Sequence, residues 1–242
     1  MNQQLRKIFG SALTLGVLAA GVMFTGSAKA DVLKFDSTLA NGTYYGTGNP
    51  TGGWTVDTNN GVQVGLRAQY RYADAIYTPT DDYSVQPGAC ITAPCNTGGN
   101  KPALALWNYN YSIDLTGTAL TLSDVMNYTF LTVTAMNGLV PVETVTFRPL
   151  VDITDNALLN TNKGAQNSEN LGWIPVGGTW PTAFNPNAGY EYDFSLVVGS
   201  SSNASLAAVD IEIQPTPEPS AVILFGTALL GAFTLIRRKR NA

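Results

Sequence analysis

The sequence predicts an all-β domain, an antiparallel β-sandwich, on three observations. Apolar residues recur at every second position in several separate stretches, turn-forming residues punctuate them, and no long helical period lies between. Seven or more such one-sided strands bury their dry faces by packing as two sheets, with a partly closed β-barrel as the alternative.

Taken in order, Asp31 to Phe35 reads as a first strand, followed by a Gly, Asn and Thr segment from Leu39 to Thr58. Asn59-Asn60-Gly61 then opens the clearest strand. From 62 to 72 the even positions are Val, Val, Leu, Ala, Tyr and Tyr, and the odd ones Gln, Gly, Arg, Gln and Arg. That period of two predicts one dry and one wet face. Residues 73–102 form a polar excursion. Residues 103–115 alternate again, with Trp107, Tyr109, Tyr111 and Ile113 on one side and Asn108, Asn110, Ser112 and Asp114 on the other. Strands are expected over Tyr128–Ala135 and Val140–Phe147, joined through Met136-Asn137-Gly138 as a hairpin-like connection. Residues 150–186 are less regular. The last pair runs through Tyr190–Val198 and Ala207–Ile213, alternating apolar residues with Glu191, Asp193, Asp210 and Glu212.

The ends are of a different kind. Arg6 and Lys7 precede a largely apolar run, Ile8 to Phe24, and Ala28-Lys29-Ala30 has the small residues that a signal peptidase accepts. Residues 1–30 therefore read as a signal peptide, a helix cut after Ala30. The domain proper spans 31–214, and 215–220 form a Pro-rich linker. Residues 221–236 carry no charge; as a helix they would rise roughly 24 Å, slightly short of a hydrocarbon core of about 30 Å. Arg237, Arg238, Lys239 and Arg240 follow as a stop-transfer cluster, so a transmembrane helix over 221–236 and a basic cytoplasmic tail over 237–242 are expected.

Charge and composition exclude several functions. Between Asp31 and Thr216 there are 16 acidic and 6 basic residues, so no basic patch is available to displace counterions from phosphates, and nucleic acid is not an expected partner. The chain has no His. Imidazole-dependent triads and most zinc, copper and non-haem iron sites go with it. Lysine-based or paired-carboxylate chemistry is what remains, and the expectation is a protein that is not an enzyme.

Four sets of residues are candidates for something specific. Cys90 and Cys95 enclose four residues and, in an exported chain, read as a small disulfide-stapled loop. Asp81, Asp82, Asp152 and Asp155 are weak calcium candidates, because exported loops with carboxylates and carbonyls suit an oxygen-preferring cation; no other cofactor is expected. The pairs Asp81–Asp82, Asp152–Asp155 and Glu191–Asp193 lack the spaced, environmentally distinct carboxyls that glycoside hydrolysis needs, and read as solvated surface acids. Trp173 and Trp180, in the irregular region, are candidates for stacking on a glycan, whereas Trp107 belongs to a core-facing alternation.

Pro217-Glu218-Pro219, the short Gly-containing apolar segment and the Arg-rich terminus together resemble the PEP-CTERM sorting signal of exported bacterial proteins. Phrases such as Gly46-Thr-Gly-Asn-Pro-Thr-Gly-Gly-Trp54 and Asn187-Ala-Gly-Tyr-Glu-Tyr-Asp-Phe194 resemble a recurring kind of PEP-CTERM ectodomain. The resemblance implies an exosortase-like membrane protease or transpeptidase as partner, in species that make extracellular polysaccharide. It implies export across the inner membrane, a transient anchor there, and then the cell surface or exterior. The expected function is a non-catalytic surface or extracellular-matrix protein; the alternatives are a glycan-binding module and an enzyme acting on a surface polymer through a carboxylate pair.

Overall fold

A computed structural model describes residues 33–42, 50–70, 75–91, 101–159, 162–173 and 184–216. The chain divides into two compact units, Met1–Ala30 and Asp31–Ala242; the first holds no described residue.

In the second unit the strands are β1 (Lys34–Ser37), β2 (Trp54–Asn59), β3 (Val62–Tyr70), β4 (Asp82–Val85), β5 (Ala89–Cys90), β6 (Lys101–Ala105) and β7 (Trp107–Asp114). Then come β8 (Thr129–Asn137), β9 (Val140–Phe147), β10 (Ala157–Leu159), β11 (Gly164–Glu169), β12 (Glu191–Val198) and β13 (Ala207–Pro215). Two single-turn helices, α1 (Leu122–Val125) and α2 (Pro149–Asp152), bracket β8 and β9. One sheet has the order β1-β2-β3-β7-β11-β10 and the other β4-β13-β12-β8-β9; β5 and β6 pair apart.

The inward faces of the two sheets make the core. Val62, Val64, Leu66 and Ala68 of β3 and Tyr109, Tyr111 and Ile113 of β7 meet Leu131 and Val133 of β8, Phe194 and Leu196 of β12, and Val209 and Ile211 of β13. Rings cross the layer: Trp107 lies 5.7 Å from Tyr192 and Tyr109 lies 5.0 Å from Phe194, centroid to centroid, within the range where tilted aromatic pairs attract. Two polar ties also cross it. The amide of Ala208 donates to Asp57 at 3.1 Å, and the Asn60 side chain donates to the Leu206 carbonyl at 3.0 Å.

Turn chemistry sets the hairpins. Asn60 and Gly61 both have positive φ, 52° and 79°, as a two-residue turn that matches strand twist requires. Gly61 admits no side chain for a second reason: a Cβ there would stand 2.5 Å from the Gly117 carbonyl oxygen.

Three expectations need correction. The sandwich is not wholly antiparallel: β13 pairs with β4 in parallel, Glu212 beside Asp82 through to Pro215 beside Val85. Asp82 and Glu212 are 130 positions apart, and a parallel pair needs such a long connection, which a hairpin cannot supply. The sheets are not closed into a barrel, since each ends in edge strands, β1 and β10 in one and β4 and β9 in the other. No helix among the described residues is long and apolar enough to cross a membrane. The signal helix at 1–30 and the span at 221–236 lie outside those residues, so the helical ends are no part of the observed fold.

A fourth concerns the wet face of β3 and β7. The alternation is as expected, but the polar side is buried too: Arg67, Asn110 and Ser112, with Gln166 of the neighbouring β11, are at most 1% exposed. Residues before β2 fold back over it. A side chain at Gly65 would touch Leu39 and Trp54, and Leu39, Trp54 and Val56 form a small cluster with Ala157 packed against it. Most of the polar groups beneath are hydrogen-bonded, the Asn110 amide nitrogen excepted. Arg67 donates to Asn110 Oδ1 (3.0 Å), Gln69 Oε1 (2.9 Å) and the carbonyls of Pro50 (2.9 Å) and Gly52 (2.6 Å). Gln166 donates to Ser112 and to the Gly42 carbonyl, and Asn170 to the carbonyls of Ala105 and Trp107.

Candidate functional site

The outward face of the second sheet gathers a cluster of acids from three neighbouring strands, β12, β13 and β4. The antiparallel register sets Asp193 directly opposite Glu212 and Ser195 opposite Asp210, while the parallel register sets Asp82 beside Glu212. On the far side of β12, Asp193 meets Thr134 and Ser195 meets Thr132. Thr132 and Thr134 in turn bond across to Thr146 and Thr144 of β9, at 2.9 and 3.2 Å. The result is a shallow groove of about 330 Å³ lined by Asp81, Asp193, Asp210, Glu212 and the hydroxyls of Thr132, Thr134 and Ser195.

Its electrostatics follow from the packing. Partial burial, then Glu191 and Asp210, push the Asp193 carboxyl up. Glu212 is likewise raised by burial and by Asp193, Asp82 and Glu191, against a hydrogen bond from Gln214 (2.7 Å) that pulls it down. The groove offers hydrogen-bonding oxygens and a negative field. The aromatic residue in its lining, Phe194, is 1% exposed and turned into the core, so it presents no ring for stacking on a sugar.

The other candidates are scattered. Asp152 closes α2 on itself, accepting the Arg148 amide at 2.7 Å and facing its guanidinium at 3.8 Å. Asp155 accepts from Asn167 (3.1 Å). Asp81 lines the groove and Asp82 opens β4 beside Glu212, on the other sheet from β11 and Asn167. Among the described residues no three His, Cys, Asp or Glu side chains could together hold a metal ion. Trp54 and Trp107 are buried, at 0% and 1% exposure; the Trp173 side chain and Trp180 lie outside the described residues. The expected staple has only one of its two cysteines among the described residues. Cys90 is buried beside Leu104 and is not free, and Cys95 lies outside them.

The described residues run to Thr216, just past the end of the last strand. β13 lies between β12 and β4, and its pairing continues past the strand: Thr216 donates its amide to the Val85 carbonyl at 2.9 Å, and its hydroxyl lies 2.6 Å from Ser84 Oγ. Residues 215–240 match the family model described as the PEP-CTERM protein-sorting motif.

The chain carries a PEP-CTERM sorting motif.

Pro217, Glu218, Pro219 and the basic cluster Arg237–Arg240 fall inside the matched stretch and lie outside the described residues. The motif starts on Pro215, the final residue of β13, so it joins a strand held on both sides. As a surface-sorting tag it marks the protein for export. Ala28 and Ala30, the expected signal peptidase residues, lie outside the described residues. No curated protein and no solved structure matches the chain.

Sequence reasoning placed Glu191 and Asp193 on one outer strand face but missed that Asp210 and Glu212 join them. The signal was available: two acid-alternating strands separated by one short polar connection pair as neighbours, and acids of like parity share a face.

Proposed function

We propose that this chain is a non-catalytic component of the cell surface or extracellular matrix, delivered by export and released or transferred by an exosortase-like membrane protease or transpeptidase. The sorting motif at residues 215–240 carries the reading. A signal peptidase acting after Ala30 starts the sequence of events, and the exosortase then recognises Pro217-Glu218-Pro219. The β-sandwich is the cargo, and an extracellular polysaccharide is its expected surrounding. The hydroxyl- and carboxylate-lined face of the second sheet suits hydrated surroundings of that kind.

The test is the intact mass and location of the native protein, compared with Glu218→Ala and with a host lacking exosortase activity. Wild-type protein found outside the cell without its terminal segments, with the tail retained in the variant and in the deficient host, supports sorted deposition. A species of unchanged mass and location in all three overturns it.

A further inference from the structure

Three Asn-Gly pairs occur within the domain, Asn41-Gly42, Asn60-Gly61 and Asn137-Gly138. This dipeptide can modify itself. The backbone nitrogen of the glycine, with no Cβ beside it to hinder approach, attacks the asparagine Cγ; a C–N bond forms, and the side-chain nitrogen leaves as ammonia. Water then opens the resulting five-membered imide to aspartate or to its β-linked isomer. The fold treats the three pairs differently.

At Asn41 both partners are engaged. Its amide donates to Asp114 and Thr116 (2.5 and 3.1 Å), and the Gly42 nitrogen donates to the Leu39 carbonyl at 3.0 Å. At Asn60 the side chain is tied to the Leu206 carbonyl across the sandwich, and Gly61 is pressed against Gly117. Ring closure there requires breaking a cross-sheet bond and moving two touching backbones. Asn137 ends β8 at the tip of the β8–β9 hairpin, where residues 137 to 140 are all exposed. No hydrogen bond from a described residue holds its side-chain amide, and nothing stands within 4 Å of where a Gly138 Cβ would be.

We propose that Asn137 is a site of spontaneous modification in the folded protein, converting to aspartate or isoaspartate while Asn41 and Asn60 are protected. The product adds a negative charge next to the exposed Leu139 and Val140. The β-linked form also lengthens the backbone at the turn and disturbs the Asn137–Val140 pairing that closes the hairpin.

The experiment is peptide mapping by mass spectrometry of the purified full-length chain, held in mildly alkaline buffer, folded and in urea. In the folded chain Asn137 should convert while Asn41 and Asn60 lag by more than about tenfold, a barrier difference of about 1.4 kcal/mol; in urea all three should convert at comparable rates. Gly138→Ala should slow the Asn137 reaction, and the open space around that position lets the variant fold. Equal rates at all three sites in the folded chain, or an Asn137 rate untouched by Gly138→Ala, overturn the proposal.

Discussion

The guanidinium carbon of Arg67 stands 4.4 Å from the centroid of the Trp54 ring, and both side chains are fully shut off from solvent. Stacking accounts for one face of the guanidinium and four acceptors for its edge, among them the Pro50 and Gly52 carbonyls of the covering segment. An arginine suits this position because its planar fork reaches several acceptors while lying flat on a ring.

Arg67→Lys should therefore destabilise the domain by about 3 kcal/mol, since an ammonium cannot serve all four acceptors and the desolvated charge keeps its penalty. The check is a urea titration. A midpoint equal to that of the wild type would show the covering segment to be held by other contacts.

Two neighbouring tyrosines of β7 should respond in opposite senses to loss of the hydroxyl. Tyr109 OH is buried with no hydrogen-bond partner, whereas Tyr111 OH bonds to Asn156 Oδ1. Burial drives both phenols well above their ordinary pKa, so each stays neutral. Tyr109→Phe should stabilise by about 1 kcal/mol and Tyr111→Phe should cost about as much, because a buried polar group is worth keeping only when it is paired. Paired thermal melts decide it, and loss of stability in both variants would refute the distinction.

Asp193 and Glu212 hold their protons to higher pH in the folded chain than in the unfolded one. Across that interval the folded state binds more protons, so its stability falls as pH rises through it; what is present below the unfolded values is lost above the folded ones. Asp193→Asn combined with Glu212→Gln should remove this slope and raise stability at neutral pH, where like charges otherwise oppose each other across the ladder. Denaturation midpoints of both proteins over the acid range test this. A wild-type-to-variant difference that stays constant with pH would show the two carboxyls to titrate normally.

Gly61→Ala should cost more than about 1 kcal/mol, because it adds strain at positive φ to a clash with the Gly117 carbonyl. Gly138→Ala meets the φ penalty alone and should cost less. The comparison of the two melting temperatures is the measurement, and equal losses would mean that the Gly61–Gly117 contact yields easily.

Strands whose residues alternate cleanly were legible from sequence, as β3, β7, β12 and β13 show, because period two needs only one dry face. What covers the opposite face was not. Nothing local in Gln63, Arg67 or Asn110 distinguishes a polar side chain facing water from one lying under a covering segment, and the cover, with Ala40, Pro50 and Gly52 in it, comes from outside their own strands. Trp54 escaped notice as a strand residue because Gly52 and Gly53 precede it, although a Cβ at Gly53 would stand 2.8 Å from the Ile76 carbonyl oxygen. The parallel β4–β13 pair was hidden for a related reason: it joins residues about 130 apart, beyond any hairpin signal. The tail motif was read correctly because its parts sit in contiguous order, with no folding needed to bring them together.

The position of β13 bears on what happens when the chain is pulled by its tagged end. A terminal strand at a sheet edge can be peeled away one hydrogen bond at a time. β13 has a ladder on each flank, β4 running with it and β12 against it. Tension along this strand loads both ladders in shear at once, so many bonds must give together before the tagged end pulls free.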